Sequence, residues 1–182
     1  TQAAENGWIL VQDTDWEGYR QIPAWIMEGY TTMGREIVEQ LAGARPTHIF
    51  LQAGVGSMAG AMAGFFADYY REERPVITVV EPERADCIFR TAQAADGLLH
   101  RAEGPLDTMM AGLACGEPCG LAWEVLQQCA GMYTAVPEWV AAKGMRMLGN
   151  PLLGDPRVIS GESGAVTAGL VAEVMERQEL AP

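Results

Sequence analysis

Lysine is almost absent from this chain, since Lys143 is the single lysine among its 182 residues. The 24 acidic residues outnumber the 12 basic ones, which gives a formal net charge of -12. Because such a charge repels the phosphates of nucleic acids and of anionic lipids, we expect neither a nucleic acid nor a membrane as a partner. Any anionic ligand must therefore be held by local hydrogen-bond donors.

Histidine and cysteine are also scarce, and their spacing is not that of metal ligands. His48 and His100 lie far apart, and no C-x-x-C pair occurs among the four cysteines. We therefore predict no metal site and expect reduced, mostly structural thiols. Apolar runs of bilayer length and an export signal are missing as well, which favours a cytoplasmic protein.

Short apolar segments alternate with longer segments of helical periodicity along the chain. The apolar runs at 49–51 and 76–80 lack polar alternation, which is typical of strands covered by helices on both faces. The sequence thus predicts an α/β fold with a parallel sheet between two helical layers. The predicted strands are 8–12, 47–52, 75–80 and 132–136, and the predicted helices are 22–42, 58–71, 121–130, one that begins after Pro137, and a last one that ends near Arg177.

The two ends of the sequence suggest that residues 1–182 form a single but incomplete domain. Residues 2–7 have the composition of the end of a helix, and the chain stops at Pro182, where the alternation predicts another strand. We therefore expect that this chain is a piece of a larger protein.

A glycine-rich loop, residues 53–60 (AGVGSMAG), follows a predicted strand and precedes a predicted helix. At such a junction, backbone N–H groups and the positive end of the helix dipole converge on an anion, and glycines allow a close approach. The hydroxyl of Ser57 adds another donor. The loop predicts a phosphate site that needs no lysine or arginine, formed by Gly54, Val55, Gly56, Ser57 and Met58.

Two other interpretations of this loop stay open. It can be a tight turn whose small residues serve only helix packing. Residues 54–59 also fit the G-x-G-x-x-G/A pattern of dinucleotide-binding proteins, with Glu81 near the position of the ribose-binding acid. That pattern belongs to the first strand of its βαβ unit, however, whereas here a strand and a long helix are predicted before the loop.

Longer motifs along the chain narrow the interpretation. They are residues 11–19 (VQDTDWEGY), 22–30 (IPAWIMEGY), 52–60 (QAGVGSMAG), 80–83 (VEPE), 107–113 (DTMMAGL) and 159–165 (ISGESGA). Together these motifs resemble the diaminopropionate ammonia-lyases, and the resemblance covers essentially the whole chain. The later motifs are shared with serine and threonine dehydratases, so the first two carry the narrower resemblance.

The resemblance implies an enzyme that uses pyridoxal 5'-phosphate and has fold type II, the fold of tryptophan synthase β and threonine dehydratase. This chain would be most of the larger domain. The implied reaction is α,β-elimination of 2,3-diaminopropionate to pyruvate and ammonia, usually by a homodimer. A serine/threonine dehydratase-like enzyme, a dinucleotide-binding oxidoreductase domain and a non-catalytic phosphate-binding module are the alternatives.

In enzymes of that family a lysine binds the cofactor covalently, and it precedes the region matched here. The last strand of the family would likewise begin after Pro182. Lys143 is not a substitute for the missing lysine, because residues 138–146 predict a helix that carries Lys143 on its solvated polar face. The resemblance therefore implies that this chain alone is inactive.

Asp13 is the catalytic residue that the resemblance predicts, since it matches the family's Gln-Asp-Thr motif. It follows the predicted strand 8–12 and would lie at the carboxyl edge of the sheet, where open parallel sheets bind their ligands. There its carboxylate could bind the β-ammonium group of the substrate or accept an α-proton. A helix cap or a loop acid is the structural alternative.

Two further positions are interpreted through the same resemblance. Some related racemases and dehydratases hold a divalent cation at the positions of Glu81, Ala85 and Cys87. A thiol is a poor ligand for Mg²⁺ or Ca²⁺, so no such site is predicted here. Glu162 and Ser163 match a Glu-x-Gly-Ala pattern found near the cofactor, although Ser163 could equally be a helix N-cap.

Overall fold

The structure is a computed structural model that describes residues 2–177. One or two helices separate each strand from the next. In chain order they are α1 Gln2–Asn6, α2 Gln21–Leu41, β1 His48–Gln52, α3 Ser57–Tyr70, β2 Val76–Pro82, α4 Cys87–Ala94, α5 Gly120–Cys129, β3 Met132–Val136, α6 Glu138–Gly149 and α7 Glu162–Glu176. Pro182, after which the sequence predicts another strand, lies outside the described residues.

The strands form a parallel sheet in the order β1-β2-β3. Leu51 of β1 is level with Val79 of β2, which is in turn level with Tyr133 of β3. Because all strands run in one direction, the loops that follow β1 and β2 meet at the same edge of the sheet. The predicted parallel α/β fold is confirmed.

Consecutive side chains of β2 enter two different cores, as the pleat of a strand requires. Ile77 and Val79 pack with residues of α3 and α5 such as Phe66 and Leu126. Val80 packs on the opposite face with residues of α6 and α7, among them Val166. Helices therefore cover both faces of the sheet, which explains why the strand sequence is apolar at successive positions.

The prediction of a strand at residues 8–12 is wrong. These residues pair with no strand in the described part of the chain, and their side chains are exposed, with Ile9 82% accessible. Their backbone is held instead by Tyr19, whose hydroxyl donates to the Leu10 carbonyl at 2.9 Å and accepts the Gln12 N–H at 3.0 Å. The apolar pattern resembles that of a buried strand, but a strand forms only where a neighbouring strand supplies hydrogen bonds.

One helix, α4, is missing from the sequence prediction. No helix is predicted from the sequence between β2 and α5, yet this stretch contains α4, whose N-terminus is bound by a buried carboxylate described below. The last helix, α7, begins at Glu162. Within residues 2–177, no helix combines the length and the apolar character that crossing a bilayer requires.

Candidate functional site

A cleft of about 270 Å³ opens at the carboxyl end of β1. The loop between β1 and α3 forms its floor, and segments that are distant in sequence form its walls. Within the described part of the chain, no lysine or arginine lines it. The lining residues are Asp13, Tyr30, Gln52, Ala53, Gly54, Val55, Gly56, Ser57, Met58, Ala59, Gly112, Leu113, Cys115 and Ser163.

The glycines of the loop are required by its geometry. Gly56 has φ = 97°, a left-handed conformation that L side chains rarely adopt, and it directly precedes α3. At Gly54 a Cβ atom would lie 2.9 Å from the Sγ atom of Cys115. The first turn of a helix leaves backbone N–H groups without intrahelical acceptors, so Ser57 and Met58 present such donors beside the cleft. The loop fits the phosphate of a cofactor, because neutral donors and a helix N-terminus meet there.

Asp13 lies in this cleft, although the strand that was expected to place it there is absent from residues 8–12. The hydroxyl of Ser57 donates to the carbonyl oxygen of Asp13 at 2.7 Å and joins that residue to the start of α3. Burial raises the pKa of the Cys115 thiol, and the negative charge of Asp13 adds to the rise. The charge of Asp13 therefore interacts with the thiol of Cys115, which lies in the cleft wall beside the glycine loop.

Glu81 has a structural environment that the sequence did not suggest. Its buried carboxylate accepts the N–H groups of Ile88 at 2.9 Å and Phe89 at 2.6 Å, at the N-terminus of α4. Burial raises its pKa to about 8, despite these hydrogen bonds, which lower it. The thiol of Cys87 also contacts it at 3.7 Å. Glu81 thus holds α4 in place, and its oxygens are engaged by the protein rather than presented to a ribose.

Ser163 and Lys143 also differ from their expected environments. Ser163 is inside α7, whose N-cap is Gly161, so the N-cap interpretation is wrong. Its hydroxyl accepts the N–H of Gly112 at 3.1 Å on the cleft wall. Lys143 is not fully solvated, because its ammonium group pairs with Glu173 and lies 2.6 Å from Glu176 of α7, with 22% of the side chain accessible. It does not line the cleft.

Some cleft residues were not identified from the sequence. Tyr30 reaches the cleft from α2, and Gln52 is the last residue of β1. Both occur in the motifs quoted above, which is the signal that could have found them. Cys115 was taken for a structural thiol, and no local pattern marks it as a wall of the cleft.

Metal-ligating side chains do not cluster in the part of the chain that the structure describes. No group of three or more histidine, cysteine, aspartate or glutamate side chains there could hold a metal ion. The four cysteines are free thiols.

Known proteins are similar to this chain in both sequence and fold. The diaminopropionate ammonia-lyase of Escherichia coli strain K12 is 51% identical over 174 residues, which cover 94% of this chain and 43% of that protein. A crystal structure of the E. coli enzyme in complex with an aminoacrylate-PLP azomethine reaction intermediate matches with a TM-score of 0.90 and 49% identity, covering 98% of this chain and 46% of the other. A crystal structure of that enzyme in complex with D-serine matches with a TM-score of 0.89 and 47% identity, covering 99% and 45%.

This chain therefore spans less than half the length of the relatives that it matches. The resemblance found in the motifs is confirmed, and so is the fold type II architecture. A family model described as "Pyridoxal-phosphate dependent enzyme" matches residues 1–182. Because that match extends over the whole sequence, the chain belongs to the pyridoxal-phosphate-dependent enzymes.

Proposed function

We propose that this chain is the region of an ammonia-lyase that binds the phosphate of pyridoxal 5'-phosphate, in an enzyme that converts 2,3-diaminopropionate to pyruvate and ammonia. The observation that carries the proposal is the meeting of Asp13 with the glycine loop in one cleft. The motif around Asp13 is one of the two motifs that carry the narrower resemblance to diaminopropionate ammonia-lyases.

The loop of Gly54, Val55, Gly56, Ser57 and Met58 would hold the phosphate through backbone N–H groups and the Ser57 hydroxyl. Such neutral donors can bind an anion without a lysine or arginine side chain. This suits a chain that has few basic residues and a net charge of -12. Pyridoxal phosphate, when bound, supplies an electron sink that stabilises negative charge at the α-carbon of an amino acid. The residues of this chain have to orient the substrate beside it.

Asp13 is assigned to the substrate. A carboxylate on the wall of a cleft that no lysine or arginine lines, within the described residues, attracts a cation. 2,3-Diaminopropionate carries a second ammonium group at its β-carbon, whereas serine and threonine carry a neutral hydroxyl there. The charge of Asp13 therefore favours the diamino acid over the substrates of serine and threonine dehydratases. The same oxygen atoms could accept the α-proton of one enantiomer.

The composition and the exposed surface of the chain suggest a cellular location and an oligomeric state. Its free thiols and acidic composition suit a cytoplasmic enzyme. Large apolar side chains are exposed at several places, with accessible fractions of 65% at Trp8, 82% at Ile9 and 77% at Met175. Because exposed apolar surface of this kind favours association, we expect a homo-oligomer.

A chimera tests the proposal. This chain replaces the matching segment of the E. coli enzyme, so that the preceding part of that enzyme, which the resemblance implies carries the cofactor lysine, is supplied. We expect the chimera to release pyruvate from 2,3-diaminopropionate, and the variant Asp13→Asn to lose this activity. The matched control is Asp155→Asn, which changes an exposed acid outside the cleft.

The substrates used in that assay separate the alternatives. Faster release from serine or threonine than from 2,3-diaminopropionate would favour a dehydratase. Full activity in Asp13→Asn would overturn the role of Asp13. A folded chimera that binds the cofactor and releases no 2-oxo acid from any of these amino acids would contradict the proposed reaction.

A further inference from the structure

Asp15 lies two residues after Asp13 but contacts a different part of the molecule. Whereas Asp13 lines the cleft, the Asp15 carboxylate accepts the N–H of Leu121 at 3.2 Å and the thiol of Cys119 at 3.3 Å. Only 10% of the Asp15 side chain is accessible. Its contacts lie at the N-terminus of α5, where a carboxylate satisfies free N–H groups.

The start of α5 is itself joined to the glycine loop. The N–H of Cys119 donates to the carbonyl oxygen of Val55 at 2.7 Å. At Gly120 a Cβ atom would lie 3.2 Å from the Asp15 carboxylate, closer than most side chains allow, so the carboxylate packs tightly against the first residue of the helix. Through these contacts Asp15 connects its own segment to the loop by way of α5.

A second connection, on the other side of Thr14, joins Asp13 to Ser57. There the Ser57 hydroxyl donates to the carbonyl oxygen of Asp13. The short segment 13–15 is therefore held at both ends: the Asp13 carbonyl group contacts the start of α3, and the Asp15 carboxylate contacts the start of α5. With both ends held, the place from which the Asp13 side chain enters the cleft is fixed relative to the glycine loop.

We propose that Asp15 is a positioning residue, which holds the Asp13 carboxylate against the glycine loop by anchoring the segment 13–15 to α5. This inference rests on the role that we propose for Asp13. Arg20 is a weaker candidate for the same task, because its guanidinium lies 3.9 Å from Asp15, is half exposed, and forms its shorter contact, 2.7 Å, with Glu124.

The Cys115 thiol is a reporter for the position of Asp13. The charges that raise its pKa, beyond the effect of burial, come from Asp13 and Glu81. If Asp13 moves away, the pKa of the thiol falls and its reaction with iodoacetamide at pH 8 becomes faster, since the thiolate is the reactive form. Tandem mass spectrometry resolves the alkylation of Cys115 from that of Cys119.

The experiment is a double-mutant cycle on this alkylation rate, measured over pH on the 182-residue chain. We expect Asp13→Asn to increase the rate at pH 8 several-fold. Asp15→Ala should produce a comparable increase when Asp13 is present and none when residue 13 is already asparagine. Asp15→Asn should restore the wild-type rate, because an amide oxygen can still accept the N–H of Leu121.

Two controls accompany the cycle. Arg20→Ala should leave the rate unchanged, although it alters the same surface. Leu121→Pro removes the N–H donor while Asp15 remains, and proline is tolerated in the first turn of a helix. It should raise the rate as Asp15→Ala does, but by less, because the Cys119 thiol still donates to Asp15. It gives the answer even where Asp15→Ala fails to fold.

Two results would overturn the proposal. An equal increase in both backgrounds would show that the loss of Asp15 merely opens the cleft, and no increase in either would show that Asp13 is held without it. The measurement needs neither cofactor nor substrate. A failure here is therefore distinguishable from a failure of the pyruvate assay, which tests the proposed function.

Discussion

Gly144 of α6 and Gly169 of α7 lie at a contact where the two helix backbones touch. A Cβ atom added at Gly144 would lie 2.8 Å from the backbone nitrogen of Gly169, and one added at Gly169 would lie 3.0 Å from that of Gly144. The carbonyl oxygens of Ala165 and Val140 would be closer still. Because all of these neighbours are backbone atoms, the contact cannot relax by a change of rotamer.

We predict that Gly144→Ala and Gly169→Ala each destabilise the chain by about 2 kcal/mol or more, because the helices must separate. Urea unfolding measures the change. The matched control is Gly29→Ala on α2, where nothing beyond the neighbouring residues and backbone of the same helix lies within 4 Å of the new Cβ. That substitution should stabilise the chain by about 0.5–1 kcal/mol, since alanine favours helices. Equal effects at the three positions would contradict the packing described.

The buried Glu81 predicts a pH dependence of stability. Its pKa rises from the ordinary value of 4.5 to about 8 on folding, so the folded state binds a proton that the unfolded state has released between these values. The free energy of unfolding therefore falls as pH rises from about 5 to 8, by up to about 1.4 kcal/mol per pH unit, and levels off above pH 8.

The variant Glu81→Gln isolates this contribution from the other titrating groups. Its amide oxygen accepts one of the two helix N–H groups and its NH₂ group cannot accept the other, so it should be less stable than the wild type at pH 5. We expect the difference between the two proteins to shrink towards pH 8. A constant difference from pH 5 to 8 in urea unfolding would count against a proton bound at Glu81.

The exposed apolar side chains predict self-association. Sedimentation velocity should give a mass above the 19.6 kDa of one chain. Association should strengthen with added salt, because salt screens the repulsion between chains that each carry a charge of -12. A single monomeric species at every salt concentration would argue against the proposed homo-oligomer.

The sequence was most informative where local pattern and tertiary structure agree. The strand 132–136 is observed with the predicted bounds, and the helix predicted at 58–71 is observed at Ser57–Tyr70. Residues 8–12 show the opposite case. Their pattern fits a strand, but strand pairing depends on residues that are distant in sequence. In the described residues their backbone groups form hydrogen bonds with the Tyr19 hydroxyl instead.

The candidate site was predictable in part for the same reason. The glycine loop can be recognised from its composition. The family resemblance that the motifs of the chain indicate is confirmed. The contacts of Asp15 with residues 119 and 121, or of Glu81 with the start of α4, depend on how separate segments meet. No spacing in the sequence encodes them. The roles of Asp13 and of the loop residues stay predictions.

Calorimetric titration with pyridoxal 5'-phosphate tests directly whether the glycine loop binds the cofactor phosphate. Gly56 and Gly43 have similar φ angles, 97° and 91°, so alanine meets a similar backbone strain at both. Only Gly56 belongs to the loop, and there the new Cβ would also lie 3.0 Å from the side chain of Ile88. We predict saturable binding to the wild type and to Gly43→Ala, and binding weaker by at least about tenfold to Gly56→Ala. Equal affinity in both folded variants, or no binding to the folded wild type, would show that the loop is not the phosphate site.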